Sequence, residues 1–268
     1  MRDDLDLKKI LTMPIEVIKV RTGKPSIEIN SDDNIIKSTQ QYKGKKDPDM
    51  SDIAIKFYEI LYGFNEGEMF PYEMFAGDTM NSFDSIANFV PGAGKTKKER
   101  KKTNKEDWPE WLRDYEKEYH CLANFWVLPM TVGRGVGRLS KGQNNTAKSF
   151  NEGRRDYMDR FLRQYIKLNA DYSRLYEDYT NKFPLPSFAK QHYLTGIYIE
   201  DGGYCSIMDY DSSIIKFSNI KEDENVNFVD LVAGVIEAMQ KKIKARAVLI
   251  SESDKADKLW NFMKEYIH

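Results

Sequence analysis

The chain has 268 residues, of which 41% are hydrophobic and 13% aromatic, and its 41 Lys/Arg against 42 Asp/Glu give a formal net charge of −1. This composition is typical of a globular chain rather than a disordered one, and no apolar run approaches the roughly 20 residues that span a bilayer. The two cysteines and three histidines do not cluster as ligands for a structural zinc ion. We therefore expect a cytoplasmic protein that has no membrane segment and needs no obligatory cofactor.

The first 62 residues predict two helices and two extended stretches. A short helix is predicted around residues 5–11, and β-branched residues dominate the stretches 15–20 and 26–29, for which we predict a hairpin. In the segment Asp47–Ser51, acidic and hydroxyl side chains precede an apolar pattern of helical spacing. A helix over residues 51–62 is therefore predicted.

The segment Gly77–Phe83 is polar, and apolar residues follow it at helical spacing. It predicts a helix that starts at its first three residues and ends at the glycine-rich residues 91–94. On such a helix Asp78, Asn81 and Ser82 lie close together. These side chains indicate either helix capping with buried hydrogen bonds or a polar pocket that holds a small ligand.

Residues 92–106 contain a lysine-rich run. Residues 91–155 hold 15 Lys/Arg and 8 Asp/Glu, a local charge of +7, and the run is predicted to be a mobile loop without core-facing residues. One interpretation is a solvated loop, and the other is a surface that neutralises nucleic-acid phosphates. Gly92 and Gly94 do not make a phosphate-binding P-loop, because Phe89 stands where that motif needs a glycine. The predicted binding residues are Lys95, Lys97, Lys98, Arg100, Lys101, Lys102, Arg134, Arg138, Arg154 and Arg155.

The second half of the chain predicts mainly helices. One helix starts at Trp108 and runs towards His120, and the apolar residues Phe125–Leu128 predict a short strand. Further helices are predicted at 154–168, 170–180, 187–195, 227–247 and 254–267, with short strands within 202–217. Together these elements predict an α+β fold, predominantly helical with a few short strands, in a single globular domain over residues 1–268.

Three motifs lie between residues 120 and 157. They are the segment His120–Pro129, the pair Leu139-Ser140, and an aromatic helix with Phe150 before its two arginines and Tyr157. This combination resembles the closing part of the HNH-type nuclease domains found in some restriction-like defence proteins.

The HNH resemblance implies a metal-dependent nuclease. Such a site uses a histidine as general base beside one divalent metal ion, so the candidate catalytic residues are His120, Asn124 and Asp78. The chain departs from that pattern because no histidine precedes His120 and Val136 stands where an asparagine is usual.

A broader resemblance runs from about residue 45 to residue 215. The segments Lys46–Asp49 and Gly77–Phe83, together with His120–Pro129 and the aromatic helix after Arg154, are similar to an uncharacterised bacterial family, a domain of unknown function. The resemblance implies one domain over most of the chain and a bacterial or phage origin, and the family brings no known activity.

Three functional hypotheses follow. The first is binding of nucleic acid or another phosphorylated partner through the basic residues, and the second is a diverged HNH-like nuclease. The third is a small-ligand pocket at the Gly77–Phe83 segment. A divalent metal ion is implied only by the nuclease alternative, and the sequence predicts neither a membrane contact nor a particular protein partner.

Overall fold

A computed structural model of the protein describes residues 5–19, 26–40, 47–67, 75–87, 90–94, 96–129, 174–200, 203–204 and 228–268. The fold over these residues is α+β and predominantly helical, which confirms the predicted class. The described helices are α1 (Leu7–Thr12), α2 (Asp52–Tyr62), α3 (Phe83–Ala87), α4 (Lys97–Arg100), α5 (Glu110–Glu118), α6 (Arg174–Lys182), α7 (Leu185–Gln191), α8 (Phe228–Ser251) and α9 (Ala256–Met263). Short 3-10 helices cover Pro48–Met50, Phe64–Glu66, Lys105–Asp107, Leu122–Asn124 and Lys264–Tyr266. Among the helices described, none combines the length and apolar character needed to cross a bilayer.

Seven short strands complete the described elements. The strands are β1 (Ile15–Val17), β2 (Ile27–Asn30), β3 (Ile35–Ser38), β4 (Phe75–Thr79), β5 (Phe125–Pro129), β6 (Ile199–Glu200) and β7 (Gly203–Tyr204). They pair as one three-stranded sheet and two two-stranded sheets. The sheets are therefore small, and helices supply most of the described structure.

The backbone forms two compact units. Unit 1 comprises Met1–Thr79, His120–Val136 and Ile243–His268, and unit 2 comprises Met80–Tyr119 and Gly137–Lys242. The chain passes between the units four times, so neither unit is one continuous segment. The single domain over residues 1–268 stays a prediction.

The sheet of unit 1 differs from the predicted hairpin. Its strand order is β1-β3-β2, with β1 parallel to β3 and β2 antiparallel to β3. The strand Ile35–Ser38 was not predicted, and it pairs with β2 because a tight turn lies between them. In that turn Asn30 Oδ1 accepts from the N–H groups of Asp32 and Asp33, at 2.9 and 3.0 Å, and Asn34 has a φ of 51°. The prediction of a hairpin between β1 and β2 is therefore wrong.

Helix α2 confirms the predicted helix over residues 51–62. Its first turn is bonded to strand β3, because the Ile53 N–H donates to the Ser38 hydroxyl at 3.1 Å. Ser51, at the N-cap position, donates its own hydroxyl to the Pro48 carbonyl at 2.7 Å. The helix ends at Gly63, which has a φ of 63° in the left-handed region that glycine adopts without steric cost.

The Gly77–Phe83 segment does not begin a helix. Phe75–Thr79 is strand β4 and pairs antiparallel with β5, and the described helix α3 begins at Phe83 (Phe83–Ala87). Residues 75–79 form a strand because the buried backbone of β5 needs hydrogen-bond partners. Those partners are distant in the sequence, so the helical spacing of nearby apolar residues does not reveal the pairing. The predicted helix from residue 77 is therefore wrong in its first part.

Glycine at position 77 lets β4 approach two other parts of unit 1. A Cβ atom at Gly77 would lie 2.5 Å from the Asp49 carbonyl oxygen and 2.7 Å from the Tyr58 hydroxyl. These two groups are themselves bonded, because the Tyr58 hydroxyl donates to the Asp49 carbonyl at 2.9 Å. The motifs behind the predicted bacterial family therefore have a packing role: the turn that carries Asp49 and the strand that carries Gly77 lie in contact.

Unit 2 has a core built from α3, α5 and the first part of α8. Phe83 stacks on Trp108 with ring centroids 6.0 Å apart, and the Tyr115 hydroxyl contacts the Met239 sulfur at 3.6 Å. The buried residues of this cluster are Phe83, Ile86, Ala87, Val90, Ala93, Trp108, Leu112, Tyr115, Val232, Val235, Ile236, Ala238 and Met239. The structure thus confirms the helix that follows Trp108 and the long helix predicted at 227–247.

The remaining predictions are partly covered. The helices predicted at 170–180, 187–195 and 254–267 correspond to α6, α7 and α9, with shifted ends, and β5 confirms the strand at 125–128. Within 202–217, β7 is a short strand as predicted. The helix predicted at 154–168 and residues 205–217 lie outside the described residues.

We predict that Gly77→Ala destabilises the protein, because its methyl group overlaps the Asp49 carbonyl and the Tyr58 ring. The expected loss is about 1–3 kcal/mol of unfolding free energy, measured by urea denaturation. The matched control is Gly234→Ala in helix α8, where an added Cβ meets nothing within 4 Å. This control should gain about 0.5–1 kcal/mol, because alanine is the better helix former. Equal stabilities of the two variants would contradict the packing role of Gly77.

Candidate functional site

The basic run folds as one helical turn followed by a short 3-10 helix. Helix α4 starts after Thr96, whose hydroxyl accepts from the Glu99 N–H at 3.2 Å. The lysines of this turn and of the residues that follow it are exposed, and the ammonium-bearing side chain of Lys97 is 76% exposed. We call Lys97, Lys98, Lys101 and Lys102 the lysine face.

The four lysines share one side of the turn. Rotation of about 100° per residue places them within an arc of about 140°, and Arg100 lies outside that arc. The helical path continues beyond Arg100, because the Lys101 N–H donates to the Lys97 carbonyl at 3.3 Å. Ideal helical rotation therefore places the four exposed lysines on the same side of the turn.

Arg100 does not belong to this exposed surface, which corrects the prediction that the run has no core-facing residue. Its side chain is only 6% exposed. Its Nη2 lies 2.5 Å from Asp84 Oδ1, its Nη1 donates to the Gly94 carbonyl at 3.1 Å, and its guanidinium lies 5.9 Å above the Phe83 ring. Arg100 therefore anchors the segment instead of offering its charge to a partner.

Two lysines of the run also contact acidic side chains. Lys105 pairs with Glu116 at 2.5 Å and lies over the Trp108 ring, and Lys97 lies 4.0 Å from Asp84. These exposed pairs are weak, because water screens them. Among the predicted binding residues, Lys95, Arg134, Arg138, Arg154 and Arg155 lie outside the described residues. The mobility predicted for residues 92–106 stays a prediction.

The three candidate nuclease residues all fall in unit 1. Asp78 lies on β4 opposite Trp126 of β5, and Asn124 ends the 3-10 helix directly before β5. Both are buried, at 6% and 0% exposure, whereas His120 is half-buried with its ring 6.3 Å from the ring of Phe125. Strand pairing therefore places Asp78 and Asn124 at the same end of the β4–β5 pair.

The nuclease hypothesis gains no metal-binding group from these positions. Over the described ranges, no set of three or more His, Cys, Asp or Glu residues is arranged to hold a metal ion. One Asp78 carboxylate oxygen accepts from the Thr79 N–H at 2.9 Å, a local backbone bond. His120, Asn124 and Asp78 therefore remain hypothetical catalytic residues.

The predicted pocket residues fall in different units. Asp78 belongs to unit 1, and Asn81 and Ser82 belong to unit 2 just before α3. Asn81 is fully buried and accepts from the Tyr198 hydroxyl at 3.4 Å, while the Lys242 ammonium lies 3.7 Å above the Tyr198 ring. These contacts agree with the alternative of a buried hydrogen-bonded network, and the pocket stays a prediction.

Arg246 is a buried residue that the sequence analysis missed. It is fully buried in unit 1, and its Nη1 donates to the carbonyls of Ala123 and Phe125 at 2.8 and 2.7 Å. Its Nη2 also donates to the Tyr62 hydroxyl at 3.3 Å. The sequence does contain a signal, since Arg246 interrupts the apolar helical spacing of Ile243 and Ile250.

A second missed contact joins α6 to the residue that follows α7 in unit 2. The Tyr179 hydroxyl forms a hydrogen bond with His192 Nε2 at 2.8 Å, and both residues are fully buried. The Phe188 ring lies 4.2 Å from the His192 ring. The spacing of four residues between Phe188 and His192 is the sequence signal for this ring contact.

Comparisons of the chain with protein-family models, with curated proteins and with solved structures give no match. The resemblances to HNH-type nucleases and to a bacterial domain family therefore stay predictions.

We predict that Arg246→Met lowers the unfolding free energy by about 3 kcal/mol, because two buried carbonyls lose a charged donor. Urea denaturation of the full chain measures this loss. The control is Lys244→Met on the exposed side of the same helix, which should change stability by less than about 0.5 kcal/mol. A loss below about 1 kcal/mol for Arg246→Met would show that the buried bonds are not needed.

Tyr179→Phe tests the second buried contact. Removal of the hydroxyl leaves His192 without this hydrogen bond, so we expect a loss of about 1–2 kcal/mol in the same assay. Tyr266→Phe, at a half-buried position where only the ring packs on Phe262, is the control and should be close to neutral. Matching values for the two variants would contradict a structural role of the Tyr179–His192 bond.

Proposed function

We propose that the protein is a cytoplasmic, nucleic-acid-binding protein of bacterial or phage origin, which holds the phosphate backbone through the lysine face. The observation that carries the proposal is the exposure of Lys97, Lys98, Lys101 and Lys102 on and directly after the capped turn Lys97–Arg100, where ideal helical rotation places them on one side. Lysine ammonium groups bind phosphates as point charges and displace condensed counterions.

The anchored course of the segment supports this proposal over the solvated-loop interpretation. A charge run with no function needs no buried arginine, whereas here Arg100 is bonded to Asp84 and to the Gly94 carbonyl. These bonds already restrict the conformation of the segment, so less conformational entropy is lost when an anion binds. Binding of this kind depends on charge and is therefore independent of base sequence.

The lysine face explains only weak binding. DNA-binding proteins that make about six to ten phosphate contacts lose about 10³–10⁵ in affinity between 50 and 200 mM salt. The lysine face offers four contacts, so we expect a dissociation constant near 10⁻⁴–10⁻⁶ M at physiological salt, as for non-specific binding. The segment also carries the exposed acidic residues Glu99, Glu106 and Asp107, which oppose a phosphate backbone. Any specific target must therefore be selected by other parts of the chain.

The test is a salt series of fluorescence anisotropy with labelled duplex DNA. The triple variant Lys98→Gln, Lys101→Gln and Lys102→Gln should bind on the order of 10³-fold more weakly near 50 mM salt, because three phosphate contacts are lost and the affinities converge only near 1 M salt. The slope of log affinity against log salt should become shallower by about 2.7, which is 0.9 for each contact.

The matched control removes three charges elsewhere. Lys8→Gln, Lys190→Gln and Lys244→Gln lie at exposed positions, change the net charge equally, and should leave the affinity within about twofold of the parent chain. If both triple variants weaken binding equally, only net charge matters and the lysine face is not the site. A gel of the same samples with Mg²⁺ or Mn²⁺ and a His120→Ala variant tests the nuclease alternative.

A further inference from the structure

The backbone that carries the lysine face is bonded to neighbouring parts of unit 2 around Arg100. The Thr103 hydroxyl donates to the Arg100 carbonyl at 2.8 Å, and the Trp108 indole N–H donates to the Thr103 hydroxyl at 3.1 Å. Together with the bonds from Arg100 to Asp84 and Gly94, these contacts connect both ends of the lysine face to the core of unit 2. These bonds therefore hold the backbone on which the four lysines are carried.

Glycine is required at position 94 for this anchor. Gly94 has a φ of 83°, in the left-handed region, and a Cβ atom there would lie 2.8 Å from the Arg100 backbone nitrogen. The carbonyl of this glycine accepts from Arg100 Nη1. The glycines that precede the run thus serve the turn and the arginine anchor, and not a nucleotide phosphate.

Stacking rings are missing from the lysine face. Residues 96–107 contain no aromatic residue. The nearest rings along the chain and under Arg100, those of Trp108 and Phe83, are each only 3% exposed and pack on each other. Proteins that bind single strands use exposed aromatic side chains on which successive bases stack, and this segment offers none.

We propose that the lysine face binds duplex nucleic acid in preference to single strands, an inference that rests on the proposed function. A contact made only by charges gains more from a duplex, which carries one negative charge for about every 1.7 Å of its axis. Four such contacts give salt slopes of about −3.6 for a duplex and −2.8 for a single strand. If the two affinities converge near 1 M salt, the duplex binds about tenfold tighter near 50 mM.

Arg100 acts in this proposal as a positioning residue. It touches no phosphate, and it holds the turn so that the lysines present a fixed array. Its removal should disperse the array and reduce the duplex preference, whereas a purely structural role would lower stability without any change in that preference. Asp84, half-exposed and paired to Arg100, provides a milder second variant.

The experiment compares one labelled duplex of about 20 base pairs with its single strand, using the full chain at two salt concentrations. We expect about tenfold tighter binding of the duplex near 50 mM salt and a smaller ratio near 200 mM. Equal or tighter binding of the single strand would overturn the inference while leaving the proposed function intact. Absence of binding to both probes at low salt would instead remove the proposed function itself.

The positioning role is tested in the same assay. Arg100→Met and Asp84→Asn should each lower the duplex-to-single-strand ratio at least about threefold, and Arg100→Lys should restore only part of it, since an ammonium lacks the planar fork that bonds two acceptors. Circular dichroism checks that each variant is folded, and Asp84→Asn keeps the test valid if the Arg100 variants unfold. An unchanged ratio in a folded Asp84→Asn protein would show that the anchor does not set the preference.

Discussion

A buried guanidinium group must place its N–H donors on acceptors, and this constraint operates in both units of the chain. In unit 1, Arg246 donates to the carbonyls of Ala123 and Phe125, which fixes the turn that leads into strand β5. In unit 2, Arg100 donates to Asp84 and to the carbonyl of Gly94, which fixes the course of the basic run. Unpaired, either cation would cost several kcal/mol, so each arginine dictates the backbone around it.

Local pattern predicts the elements whose stabilising contacts lie close in the sequence. The apolar spacing behind Ser51 predicts α2, and the run of apolar residues at 125–128 predicts β5. Elements that depend on distant partners were missed or misassigned. Strand β4 contains polar residues and a glycine, and it becomes a strand because β5 pairs with it across some 50 residues of chain. The first turn of α2 is capped by Ser38, which no inspection of residues 47–52 could reveal.

The candidate site was predictable from the sequence in part: the basic surface could be predicted, but the burial of Arg100 could not. A run of lysines identifies a basic surface directly, because charge needs no fold to be recognised. The role of Arg100 could not be deduced from its charge, although one arginine among lysines is the residue type suited to two directed bonds. In the sequence Arg100 and Lys98 are two basic residues of one run, whereas in the structure Arg100 is buried and Lys98 is exposed. The run of lysines predicts an anionic partner, and the packing of Arg100 determines which basic side chains of the run are exposed.

The most direct measurement is lysine footprinting of the full chain by acetylation and mass spectrometry, with and without duplex DNA at low salt. We predict that the duplex protects Lys97, Lys98, Lys101 and Lys102, and that the exposed residues Lys8, Lys190 and Lys244 are modified equally in both samples. Protection that is uniform over all exposed lysines, or that spares the lysine face, would contradict the claim that these four residues form the binding surface.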